Sequence, residues 1–463
     1  MRLFLILLFA SNLLCAQNTK QSSTDSIDAI TLRKIFDYYL LKSKCYSNLE
    51  FLSTKIESRL SGSPGAAKAV TWAKQAMYNA GADTVYLQPC MVPHWVRGKK
   101  EACYSLNKQN KKTNYSICAL GNSIATPKSG VLANVIEVNS FKELDSLGEK
   151  NIKGKIVFFN VYFNHSHLAT GTCYAETVGY RYSGPSKAAK YGAVATIVRS
   201  MSSINNDFPH TGVMGYDTSL CKTKIPACAI SFSGADKLLS NLKQNPQLKL
   251  NITQNCEMLK NELSYNVVGE IKGTTKSNEY IIAGGHLDAW DNGQGAHDDG
   301  AGVVQGIEVL GMYKKLGIKP LHTIRAVAFM NEENGGVGGK TYFEDTKTKN
   351  LKHIAALESD AGGFSPRGIG VDTTMGAFQK VLEWKELLNP YFVQYINKNG
   401  GGADINPLRA LGVPLFGFQP DGQKYFDYHH TADDTFDKVN KRELELSAGV
   451  IGALIYLIDT RGW

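Results

Sequence analysis

The chain has 463 residues, 43% of them hydrophobic and 20% charged, with a formal net charge of +9. Those values exclude a disordered or fibrous chain, and past the first residues no stretch is long and apolar enough to cross a bilayer. The length exceeds the usual reach of one hydrophobic core, so two domains, or one domain carrying a large insertion, are expected.

The first residues, MRLFLILLFASNLLCAQ, set Arg2 before an apolar run that ends in small residues, the layout of a secretory signal cleaved after Ala16. Export to the periplasm or the medium is expected. Cys15 would suit lipid attachment, but the bulky Leu14 before it argues against that. Without the leader eight cysteines remain, from Cys45 to Cys256. An even number in an exported protein permits disulfides such as Cys221–Cys228 or Cys103–Cys118, although sequence does not give connectivity. No CxxC pair occurs, so zinc held by thiolates is not expected. The positive charge comes partly from scattered lysines, as in RGKK (97–100) and KQNKK (108–112), and reads as a solvated exported surface with no nucleic-acid partner.

The segment from Asn48 to Pro89 predicts helix, Gly/Pro loop, helix and strand. Residues 120–258, with GKIVFFNV, GAVATIVRS and PACAISFSGADKLLSNL separated by long polar loops, read as an inserted domain. The C-terminal part is taken from residue 259, and from residue 264 strand and helix patterns alternate, the signature of a mostly parallel, mixed sheet flanked by helices. NVVGEIKG and EYIIAGG predict strands; Val303, Val304, Ile307 and Leu310 recur at helical spacing until Lys314, Lys315 and Gly317 close the helix. HTIRAVAFM, HIAALES and VPLFGFQ predict further strands, and Leu444, Leu446, Val450, Ile451, Leu454 and Ile455 a last helix. Residues 17–119 would join this C-terminal part, so that one α/β domain is split around the insertion.

In open α/β sheets ligands bind beyond the carboxyl ends of the strands. Three such places carry the same chemistry: GGHLDAWDNGQGAHDDGAG, with His286, Asp288, Asp298 and Asp299; Glu332 and Glu333 after HTIRAVAFMN; and Asp360 after HIAALES. A fourth, HHTADDT, offers His429, His430, Asp433 and Asp434. Carboxylates gathered at one sheet edge repel unless cations join them. Imidazole and carboxylate without thiolate suit catalytic zinc, with manganese or cobalt as substitutes. Two neutral histidines, three carboxylates and a hydroxide sum to −4, which two divalent ions balance. NGGVGGKT imitates a phosphate loop, but Asn334 stands where the first glycine is required.

HLD followed by DDGAG, NEE, ESD and HHTxxDT resembles the M28 metallopeptidases, a family of two-zinc aminopeptidases. The likeness extends to RLSGSPG, VPHWVRG and GADINPL and covers most of the chain after the leader, while the middle segment resembles a protease-associated (PA) domain. The resemblance implies a zinc-peptidase α/β fold with an inserted PA-type β-rich domain. It makes His286 and Asp360 ligands of one zinc, Glu333 and His430 ligands of the other, and Asp298 the bridge between them. Glu332 would be the general base, and Asp288 would hold the imidazole of His286. Local chemistry does not choose between His429 and His430; the family spacing selects His430, with Asp434 as a supporting carboxylate. His297, often small or apolar in relatives, would be an added ligand at most, and a cis peptide between Asp298 and Asp299 is implied.

The expected reaction is amide hydrolysis by a metal-bound hydroxide, on dipeptides or short peptides with a free N-terminus. The rivals are an aminopeptidase trimming longer peptides and a noncatalytic binding protein of the same fold, which the full set of ligands disfavours. No GxSxG elbow supports a serine nucleophile. The sequence does not fix an oligomeric state and leaves a homodimer open.

Overall fold

The structure, a computed structural model, describes residues 23–463 apart from 57 and 107–110. The leader expected over residues 1–16 lies outside the described residues. Eight strands build the sheet that matters most here: β1 (Thr84–Val92), β2 (Glu262–Ile271), β3 (Lys276–His286), β4 (His322–Phe329), β5 (Lys352–Glu358), β6 (Pro366–Asp372), β7 (Tyr395–Lys398) and β8 (Leu415–Pro420). Their order is β1-β2-β4-β3-β5-β8-β6-β7. The central strands β4, β3, β5 and β8 run parallel, as the alternating pattern predicts. Antiparallel pairing enters only toward the edges, where β1 meets β2, β2 meets β4, and β8 meets β6.

Helices cover both faces of this sheet. α1 (Ser23–Lys42), α2 (Pro64–Ala80), α3 (Ala301–Leu316) and α5 (Lys441–Arg461) pack with Ile281, Ala283, Ile324 and Leu357 on one face. α4 (Val337–Thr348) supplies Tyr342 to the other, against Ile282, Val327, Phe329 and Ala356. The alternation of Ile281, Ile282 and Ala283 between two cores is the period of two expected of a strand covered on both sides. β4 is buried along its whole length for the same reason.

Local signals set the ends of these helices. Ser63 accepts from the backbone N–H of Ala66 and Pro64 opens α2, while Gly317, at φ +67°, closes α3. Asn440 caps α5 through the N–H groups of Arg442 and Glu443. α3 is buried nearly all round because α1 and α5 lie over it, and in the loop before it residues 287–290 and 295–300 are buried while 291–294 are half-buried.

A second eight-stranded sheet spans residues 102–253, with the order Lys112–Tyr115, Ala102–Leu106, Lys249–Thr253, Val131–Val138, Ile156–Phe159, Ala195–Arg199, Ala227–Ile230, Ile117–Ala119. Helices Phe141–Ile152, Thr170–Tyr182, Gly184–Lys190 and Phe232–Gln244 flank it. Three of its strands precede residue 120, where the sequence reading begins the insertion. Ala102–Leu106 pairs with Lys249–Thr253, a partner far along the chain that no local pattern announces. The two connections between the sheets are themselves joined, Trp95–Val96 pairing with Glu257–Met258.

None of the eight described cysteines forms a disulfide. Cys103 lies opposite Tyr115 and Cys118 opposite Ala229 on different strands, and the Sγ of Cys118 accepts from Arg97 instead. No described helix is long and apolar enough to cross a membrane.

Candidate metal centre

The three parallel strands β3, β4 and β5 end side by side, and the residues just beyond them converge. His286 is the last residue of β3, Glu332 and Glu333 follow β4, and Asp360 follows β5. The Nε2 of His286 lies 3.2 Å from Oδ1 of Asp298 and 3.6 Å from Oδ1 of Asp360. From the loop before α5, the Nε2 of His430 lies 3.3 Å from Oδ2 of Asp298 and 3.1 Å from Oε2 of Glu333. Asp298 thus turns one oxygen to each imidazole. The peptide between Asp298 and Asp299 is cis.

The electrostatics of this cluster are those of anions short of positive charge. Burial pushes the carboxyl groups of Asp298 and Glu333 above their ordinary range. Burial, with the charges of Asp360 and Asp298 and against the pull of His286, pushes Glu332 up to about 8. Burial opposes a charge on His286, yet its contacts with Asp298 and Asp360 raise it overall, whereas burial and the neighbouring His429 lower His430. Among the described residues Oδ2 of Asp298 and Oε1 of Glu333 have no hydrogen-bond partner. Buried acceptors left unmatched cost free energy, and a divalent cation would satisfy both. His286, Asp298 and Glu333 form one group whose ligand atoms lie within 4.8 Å of one another. Asp298, His429 and His430 form a second, and His286, Asp299 and Asp360 a third. The donor set fits metal binding.

Each imidazole is fixed by a main-chain carbonyl. Nδ1 of His286 is 2.9 Å from the carbonyl oxygen of Asp288, and Nδ1 of His430 is 3.3 Å from that of Thr211. A carbonyl only accepts, so Nδ1 is the donating nitrogen toward it, and with a cation in the cluster Nε2 would be the nitrogen left to ligate. Asp288 meets the His286 ring through its main-chain carbonyl. Its carboxylate stands 4.0 Å from the His286 ring nitrogen and instead accepts from the backbone N–H groups of Asn331, Glu332 and Glu333, at 2.6, 3.1 and 3.4 Å. Asp288 therefore orients His286 through its backbone and the Glu332–Glu333 turn through its side chain.

The remaining candidates have other duties. Asp299 accepts from the backbone of His286 and Gly302, tying β3 to the start of α3. Asp434 accepts from the backbone of His297 and Asp298 and so sets the bridging residue; burial pushes it up to about 7. His429 stacks on His430 with ring centroids 3.5 Å apart, its Nε2 3.7 Å from Asp298 and with no ion-pair contact to Glu333. His297 is sandwiched between Phe364 and Tyr428, and burial lowers it to about 4. It belongs to none of the three groups.

Two arginines escape the sequence reading. Arg59, fully buried, donates to the carbonyls of Leu287, Gln294 and Gly295 at 2.7, 2.7 and 2.8 Å, and so closes the loop between His286 and Asp298. Arg97 grips Asp291 in that loop through Nε and Nη2. The only hint was likeness: RLSGSPG and VPHWVRG contain both, but an arginine in a polar loop gives no local sign of what it faces. Between the two sheets a cavity of about 920 Å³ opens beside Glu332 and Asn334, walled on its far side by Asn122, Tyr182, Tyr216 and Lys224. Gly121 makes the close approach of the sheets possible, since a side chain there would collide with Trp290.

Residues 266–455 match the model of peptidase family M28. Carboxypeptidase Q of Mus musculus is 33% identical over 91% of this chain and 87% of its own length, and that of Xenopus laevis is 35% identical over 90% and 86%. A crystal structure of a peptidase M28 precursor from Shewanella amazonensis superposes with a TM-score of 0.89 at 34% identity, covering 94% of this chain and 97% of that one. Likeness along nearly the whole length, together with a catalytic-type cluster at the strand ends, makes this chain a metallopeptidase that belongs to peptidase family M28.

Proposed function

We propose that the chain is an exported exopeptidase that holds two zinc ions and cleaves dipeptides or short peptides with a free N-terminus. The observation that supports a pair of ions is the division of Asp298 between two imidazoles, Oδ1 toward His286 and Oδ2 toward His430. His286 and Asp360 would hold one ion, Glu333 and His430 the other, and Asp298 both. Three carboxylates against one divalent ion leave net negative charge in a buried site, which a second ion removes. When bound, such a pair supplies an activated water and polarises the scissile carbonyl.

The protein's own part is proton transfer and positioning. Glu332 reaches the cavity while its neighbour Glu333 is buried, so the two adjacent carboxylates take different tasks. Glu332 accepts the proton of the attacking water and returns it to the leaving amine. Asp288, through three backbone N–H groups, keeps both glutamates in place during that exchange. The relatives are named carboxypeptidase Q, and for a dipeptide the bond cut by an aminopeptidase and by a carboxypeptidase is the same one. The cavity beside Glu332 has room for a short peptide, and the wall built by the second sheet limits its extension.

Glu332→Gln is expected to keep its metal while turnover falls by about 10²–10⁴, the range for loss of a general base; metal content and steady-state rates on one preparation check this, and undiminished turnover would remove Glu332 from the mechanism. Dialysis against a chelator is expected to abolish hydrolysis and added zinc to restore it, whereas activity that survives complete metal removal excludes the metal mechanism. Dipeptides are expected to be cleaved with higher kcat/KM than tripeptides sharing their first residue, measured by amine release; the opposite ranking favours an aminopeptidase of longer chains.

A further inference from the structure

We propose that the domain built on the second sheet completes the metal centre: its residues Thr211 and Arg181 position His430 as a ligand. The inference rests on the metallopeptidase reading above and extends it to a part of the chain outside the segment that matches the family model, residues 266–455.

The contact is made on both sides of the histidine. The backbone N–H of Thr211 donates to the carbonyl of His430 at 3.0 Å, and the carbonyl of Thr211 accepts from Nδ1 of the ring at 3.3 Å. His430 itself sits at φ +61°, in the left-handed region that non-glycine residues keep only where their surroundings impose it. Thr211 and the side-chain amide of Asn292, both donating to the His430 carbonyl, impose it here. Among the described residues the groups against Nδ1 of His430 are Thr211 and Arg181, so the acceptor that sets this ring's orientation comes from the other domain.

Arg181, in the helix Thr170–Tyr182, holds that acceptor. Its Nη1 donates to the same carbonyl of Thr211 at 3.4 Å and lies 3.4 Å from the imidazole, while Nη2 donates to the hydroxyl of Tyr174 at 2.7 Å. Tyr174 in turn stacks on Phe426, three residues before His429. Arg181 is 5% exposed, so these bonds are made away from competing water. Gly212 completes the fit. At φ +133° it takes a backbone conformation that side chains rarely allow, and a Cβ there would lie 2.4 Å from the Arg181 guanidinium and 2.7 Å from Nδ1 of His430. Arg181 is not among the residues that line the cavity beside Glu332 and is a positioning residue; its effect passes through the Thr211 carbonyl to the ring.

Zinc titration of the metal-stripped full-length protein by calorimetry, with metal content after gel filtration, tests this. The wild-type chain is expected to take up two equivalents. Arg181→Met is expected to bind one equivalent as before and the other about 10–100-fold more weakly, the usual effect of losing an outer partner of a ligating histidine. The unaltered first equivalent separates this outcome from general misfolding. Arg181→Lys, which keeps one donor, is expected to recover part of the affinity. If Arg181→Met does not fold, Gly212→Ala carries the same test by displacing His430 directly. Two equivalents bound with wild-type affinity in the folded variants would overturn the inference, and a wild-type chain that takes up no zinc would overturn the reading beneath it.

Discussion

Four carboxylates and two imidazoles brought together at the end of a parallel sheet are the constraint to which the rest of the molecule answers. Asp298, Glu332, Glu333 and Asp360 come from three separate loops, and each lies close enough to another acid for burial and repulsion to raise three of them above their ordinary range. A protein that needed only stability would have neutralised or dispersed them. Here the scaffold concentrates them: β3, β4 and β5 deliver their terminal residues to one edge, and α3, buried on all sides, fixes the floor from which Asp298 and Asp299 rise. The unmatched oxygens of Asp298 and Glu333 are the remaining demand, which a bound cation meets.

Around this cluster backbone groups do much of the orienting. Carbonyls of Asp288 and Thr211 set the two imidazoles, and N–H groups of residues 331–333 converge on the Asp288 carboxylate. Main-chain groups cannot rotate away independently, so ligands fixed by them are held to a narrow geometry before any metal arrives. Arg59 applies the same idea from the opposite side, its guanidinium donating to the carbonyls of Leu287, Gln294 and Gly295.

Much of this was legible in the sequence, and for identifiable reasons. The strands β3, β4, β5 and β8 declare themselves by short apolar runs, and α3 by its period and closing glycine. Acidic and imidazole residues immediately after three of those strands then point to one edge, because parallel strands end on the same side. What stayed hidden depends on contacts distant in sequence. The antiparallel strand β6, one place in from the edge, is short and partly polar in its flanks, and nothing in PRGIGVD fixes its direction. The strands between residues 102 and 119 join the second sheet through partners near residues 250 and 229. Asp288 was recognised as a supporting residue, but whether its carboxylate or its carbonyl meets the ring depends on the turn that follows β3. Arg181 and Thr211 gave no local sign because their partner lies more than 200 residues away.

The position of Arg59 bears on how such a chain comes to be assembled. The residues that close the loop from 287 to 295 are made first, and the second sheet, spanning 102–253, is interposed before the loop itself emerges. The edge strand β1 likewise waits for β2 across the same gap. Bringing such remote partners together carries a loop-closure cost that only later contacts offset, so the catalytic domain is an inherently late product of synthesis. The stretch from 266 to 455, although it contains every acidic and imidazole group of the cluster, lacks both the arginine that shapes its central loop and the strand that covers its edge. Expressed alone it would be an incomplete body, its central loop without the Arg59 guanidinium and its sheet without β1.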